Sequence, residues 1–162
     1  MRGKIFGMVL VVMFAVGIAG AEELYAPLFK APLPEDAVIQ PASPEIPAEY
    51  ARFLGVWEGN WDWKDLPNRL IVMSIKSASD GKYEADVYYA WGRVDRTDDI
   101  TANKRLTGVF RKDGSLFLKW KTSEGSMIEV TYEPKRNPLK LDGYYSRDGN
   151  TPPSRITVKK VK

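Results

Sequence analysis

The chain has 162 residues, with 24 Lys+Arg, 21 Asp+Glu, no histidine and no cysteine, a length that suits one domain whose core needs no covalent staple. Without Cys there are no disulfides, thiolate nucleophiles or thiolate metal sites; without His there is no Ser-His-Asp chemistry and no imidazole base. An enzyme made from these residues is confined to carboxylate, Lys, Tyr or Arg chemistry, or to a metal held by oxygen ligands.

The chain opens as an export signal. Arg2 and Lys4 precede an apolar run from Ile5 to Ile18, which is followed by the small residues Ala19-Gly20-Ala21 and then by Glu22 and Glu23. Positive, apolar, small and then polar is the layout of a secretory signal peptide. The run spans 14 residues, short of the ~20 that a bilayer-spanning helix needs. Residues 1–21 are therefore expected to be removed on export to the periplasm or the extracellular space, leaving no stable membrane span; an uncleaved membrane anchor is the alternative. Without Arg2 and Lys4 the remaining chain holds 22 Lys+Arg against 21 Asp+Glu, and apart from Lys159, Lys160 and Lys162 at the C-terminus no basic stripe interleaved with aromatics stands out. Nucleic acid is not an expected partner.

Residues 22–48 follow as an extended arm. Pro27, Pro32, Pro34, Pro41, Pro44 and Pro47 exclude helix interiors and central strands, so the arm reads as a spacer, or as a segment lying loosely on the domain. Ala48 to Leu54 suits one or two helical turns, with Tyr50, Phe53 and Leu54 on one side.

From Gly55 on, within a domain spanning 49–162, eight short runs rich in Val, Ile, Tyr and Trp alternate with turn residues. They are 55–64, 69–77, 83–91, 104–111, 115–121, 127–133, 139–146 and 155–161. Trp57, Trp61 and Trp63 share one parity in the first; Tyr83, Ala85, Val87, Tyr89 and Trp91 share one in the third. Leu116, Leu118 and Trp120 do so in the fifth. Asp113-Gly114, Glu124-Gly125 and Asp148-Gly149 supply hairpin turns. The pattern predicts an all-β fold, an eight-stranded antiparallel up-and-down barrel, because closure removes exposed strand edges. A two-sheet β-sandwich is the alternative. Strands of about 8 residues, tilted, give a barrel ~20 Å tall, room for one small ligand.

Gly55-Val56-Trp57, opening the first strand after a short helical segment, resembles the Gly-x-Trp signature of the lipocalin and avidin superfamily. The resemblance implies that Trp57 lies across the closed base of the barrel, with a cation from the last strand stacked on it. Strand eight descends to that end, which nominates Lys159 or Lys160. The second lipocalin signature, a Thr-Asp-Tyr run, is absent; Pro134-Lys135-Arg136-Asn137-Pro138 stands in its place. Gly55 to Trp63 with Tyr89-Ala90-Trp91-Gly92 also resembles a module of secreted bacterial proteins found beside hydrolase domains, which brings no known activity.

With Gly55 and Trp57 at the base, the rising strands end at the opposite mouth. Trp61, Trp63, Tyr89, Trp91, Trp120 and Tyr145 are therefore expected to converge there as a ligand-binding set for a small apolar or planar molecule, or a sugar ring. The competing expectation is a barrel plugged by these rings, acting through an outer face on which Tyr88, Phe117, Tyr132 and Tyr144 are read as aromatics suited to a cell-envelope protein partner. Asp62, Asp65, Asp95, Asp98, Asp99 and Asp148 fall in mouth loops, but no catalytic motif organises them. No enzyme activity, cofactor or metal is expected; a carboxylate-based hydrolase accessory domain ranks last.

Overall fold

The computed structural model describes residues 31–62, 66–92, 102–150 and 152–162. The leader at 1–21, the first part of the arm, Trp63, Asp65, Asp95, Asp98 and Asp99 lie outside the described residues. A single turn, α1 (Ala48–Ala51), precedes eight strands: β1 (Gly55–Trp61), β2 (Leu66–Ser77), β3 (Tyr83–Trp91), β4 (Ala102–Phe110), β5 (Leu116–Lys121), β6 (Met127–Pro134), β7 (Lys140–Arg147) and β8 (Ser154–Lys160). Each strand pairs antiparallel with the next, and β8 returns to β1, closing the barrel. The closed order excludes the sandwich.

Alternation decides which side chains fill the interior. Trp57, Leu70, Val87, Leu116, Leu118, Val130, Leu141 and Val158 are fully buried within one continuous core. Two backbone positions make the narrow middle of the barrel possible. A Cβ on Gly143 would collide with the Tyr132 ring, its Cε1 2.8 Å away, and one on Gly108 would meet Leu116 at 2.7 Å. Tyr132 is wholly buried, which corrects its expected outer-face position: Ile128, Val130 and Tyr132 take the inward parity of β6. The missing side chain at Gly143, its register partner on β7, leaves the space its ring fills.

The base is stoppered by the segment before β1. Pro47 presets the backbone entering α1, and the turn thrusts Tyr50 and Phe53 under the barrel. The Tyr50 ring sits 4.8 Å from Tyr83 and 4.6 Å from Phe110, while Phe53 meets Phe110 edge-on at 5.2 Å. The Trp57 indole donates to the Phe53 carbonyl at 2.7 Å.

The described part of the proline-rich arm, from residue 31, is strapped to the wall instead of lying loosely on it. The outward parity of β2 is apolar in its middle, and Val56, Ile71 and Met73 form a second buried cluster beneath Ala37, Ile39 and Tyr88. The Gln40 amide donates to the Met73 carbonyl at 2.7 Å, Arg69 donates to the Ala31 carbonyl at 2.6 Å, and the Tyr88 hydroxyl donates to Asp36 at 2.7 Å. Tyr88 is thus a contact for the arm. Phe117 lies under the Arg111 guanidinium, 3.9 Å from the ring centre, and Tyr144 faces outward, half-buried.

Candidate functional site

Among the described residues, the end opposite α1 is uncovered. A cavity of about 360 Å³ enters the barrel there, lined by Trp61, Leu66, Tyr89, Trp91, Trp120, Thr122, Ile128, Tyr145, Arg147 and Ser154. Each ring arrives on a strand that ends at the mouth: Trp61 on β1, Tyr89 and Trp91 on β3, Trp120 on β5 and Tyr145 on β7. Tyr89 lies 5.5 Å from Trp91 and 5.2 Å from Trp120, and Trp91 and Trp120 are near-parallel at 6.3 Å. Trp61 meets Tyr145 edge-on at 5.8 Å across the β1–β8 seam. Five of the six residues expected at the mouth thus share one cavity; the sixth, Trp63, lies outside the described residues.

A polar bridge spans the layer beneath. Asn68 on β2 is completely buried. Its Oδ1 accepts the Tyr132 hydroxyl at 2.7 Å from the opposite wall, and its Nδ2 donates to the Ala90 carbonyl at 3.0 Å. Burial drives the Tyr89 phenol well above its ordinary value of 10.0, against a smaller downward pull from hydrogen bonding with Trp61 and Asn68. Burial likewise raises Tyr132 and, less completely, Tyr145, where Arg147 pulls the other way. These phenols are neutral donors and acceptors at physiological pH.

Arg147 is the one charged group among the described lining residues. Its guanidinium donates to Glu124 and to Ser126 Oγ, both at 3.0 Å, on the rim. Asp62 accepts the Arg155 amide at 3.0 Å and Asp148 accepts the Met127 amide at 2.7 Å, so both carboxylates fasten hairpins and seams. No group of three or more metal-ligating side chains occurs among the described residues.

At the base, Gly55 begins β1 with a left-handed φ of 128°, and an added Cβ would strike the Lys162 carbonyl. Lys160 lies opposite Trp57 in the β1–β8 register, with its ammonium 5.2 Å from the ring centre. Lys159 takes the other parity and is exposed. Burial, and then the nearby Arg52, depress the Lys160 ammonium below its usual value. Leu66, Thr122, Ile128, Arg147 and Ser154 are cavity residues that the aromatic pattern alone did not mark. Inward parity identifies Leu66 and Ile128; Arg147, Thr122 and Ser154 become lining groups only through hairpin geometry. No family model, curated protein sequence or solved structure matches this chain.

Proposed function

We propose that the protein is an exported, non-enzymatic binding module that takes a small apolar or planar molecule, or a sugar ring, into the mouth of its barrel. The observation that carries this reading is the 360 Å³ cavity ringed by Trp61, Tyr89, Trp91, Trp120 and Tyr145. Its size lies in the range of ligand pockets, and its lining combines apolar faces with a few convergent polar groups. Burying ~200 Å² of ligand apolar surface there contributes ~5 kcal/mol, offset in part by the ligand's lost freedom. Among the described residues the barrel is filled below the Asn68–Tyr132 bridge and holds the cavity above it, which suits a shallow cup. The closed meander, Gly55-x-Trp57 at the stoppered end and Lys160 over the Trp57 ring support a lipocalin-like arrangement. Neither Asp62 nor Asp148 lines the cavity, which favours binding over carboxylate catalysis.

The test is tryptophan fluorescence titrated with a panel of small aromatic compounds, apolar compounds and sugars. Saturable quenching or shift, lost in Trp91→Ala and Trp120→Ala, is the expected result. Emission that no panel member moves would refute the reading and favour a protein partner for the outer wall.

A further inference from the structure

At the barrel end opposite the cavity, the β7–β8 side gathers six cations, with Glu133, Asp142 and Glu58 nearby. Lys135, Arg136 and Lys140 enter it from the turn before β7 and the start of that strand, and Lys159, Lys160 and Lys162 from the end of β8. Lys135 is engaged by Asp142 at 2.8 Å, and Lys160 covers Trp57 and donates to the Arg52 carbonyl at 3.2 Å. Arg136, Lys140, Lys159 and Lys162 have no acidic partner among the described residues. Glu58, the register neighbour of Lys159, is held by Arg69.

Two details set this edge apart from an ordinary solvated rim. The β7–β8 register puts Lys140 directly opposite Lys159, both with outward parity, and like charges directly opposite each other weaken a sheet. Beside them stand two of the few large apolar side chains left in water, Leu139 and Val161, 57% and 55% exposed. The Leu139 carbonyl accepts the Lys160 amide at 3.0 Å, which fixes the two chain segments side by side.

We propose that this basal edge docks on an anionic phospholipid bilayer. Arg136, Lys140, Lys159 and Lys162 would face the lipid phosphates while Leu139 and Val161 enter the headgroup layer, the combination by which peripheral proteins hold a charged membrane. A nucleic acid would satisfy the cations but offers the two aliphatic side chains nothing to enter. Bound lipid charge also relieves the Lys140–Lys159 repulsion. Docked this way, the cavity points away from the bilayer.

The experiment is co-sedimentation of the processed chain, freed of residues 1–21 whose apolar run would itself enter lipid, with vesicles of phosphatidylglycerol and phosphatidylethanolamine, against vesicles of phosphatidylcholine. Each cation adds ~5-fold to partitioning at low ionic strength, so Lys140→Gln/Lys159→Gln is expected to weaken binding to the anionic vesicles ~25-fold and to erase most of their advantage. Leu139→Ser/Val161→Ser should weaken binding several-fold without touching the charge. A thermal midpoint for Lys140→Gln/Lys159→Gln equal to or above that of the parent shows that folding is intact. Equal binding to both vesicle types overturns the proposal, as does undiminished binding by the lysine variant. Capture by a DNA duplex that survives the Leu139/Val161 substitutions, with no vesicle binding, overturns it in favour of a nucleic-acid partner.

Discussion

Replacing Tyr132 by Phe removes one oxygen and leaves the ring, so it isolates the hydrogen bond that spans the barrel. Tyr132 and Asn68 are both fully buried, and the hydroxyl reaches Asn68 Oδ1 at 2.7 Å. In the variant Asn68 keeps its bond to the Ala90 carbonyl but loses the donor to its own oxygen. A buried acceptor left unmade costs ~1–3 kcal/mol. At ~2–4 °C per kcal/mol for a domain of this size, the melting temperature should fall by about 2–12 °C. Urea denaturation followed by near-ultraviolet circular dichroism measures the loss directly. Alkaline pH supplies a second reading. Burial holds the Tyr132 phenol above its ordinary value of 10.0, so the folded state resists an ionisation that the unfolded chain undergoes near that value. Native stability is full below that pH and declines above it; the phenylalanine ring of the variant does not titrate, so its deficit should narrow in alkali. A loss under ~0.5 kcal/mol at neutral pH would mean that water from the cavity satisfies Asn68, and that the layer beneath the cavity is wet.

Two further predictions concern stability. Gly143→Ala should cost ~1–3 kcal/mol in chemical denaturation, because the added methyl meets the Tyr132 ring and Ile156 in a filled layer; a neutral result would show that the ring can move aside. Asp142→Asn removes the negative charge that pairs with Lys135 and one of the two carboxylate oxygens beside Lys135 and Thr157, a partly exposed cluster worth ~0.2–1 kcal/mol at neutral pH. Burial alone would raise the Asp142 carboxyl, yet those two partners hold it below its ordinary 3.8. The wild type keeps this stability above that value and loses it as pH falls further, so melts of the two proteins should converge in acid; a gap that persists there would assign the effect to packing.

Much of the wall was legible because period-2 alternation is a local property. On β3 the set Tyr83, Ala85, Val87, Tyr89 and Trp91 could be assigned to one face from spacing alone, and the aromatic mouth followed from strand direction. The start of β2 was less visible: Pro67 and Asn68 have turn composition, yet they extend the strand to Leu66. Pro67 is tolerated there with its carbonyl accepting the Gly92 amide. Asn68 gave no local signal, since its partner lies 64 residues away on the far wall. The apolar outer face of β2 had the same limitation: Ile71 and Met73 make sense only once Ala37 and Ile39 lie on them. Tyr132 shares the inward parity of Ile128 and Val130, yet its ring is too large for a narrow barrel interior on local evidence. The counter-signal was the gap opposite at Gly143, a property of two strands together.

The seam between β1 and β8 also sets an order of events. Trp57–Lys160 and Glu58–Lys159 are its paired positions, flanked by the Val56–Lys162 amide contact at 2.7 Å and the Asp62–Arg155 contact at 2.9 Å. Its two sides are separated by roughly a hundred residues, so ring closure is the slowest contact to gain in entropy. Seven strands can zip sequentially while β1 keeps a bare edge, and only the arrival of β8 removes it. Until then the growing sheet is adhesive at both ends, and slow delivery of β8 by the ribosome prolongs that exposure.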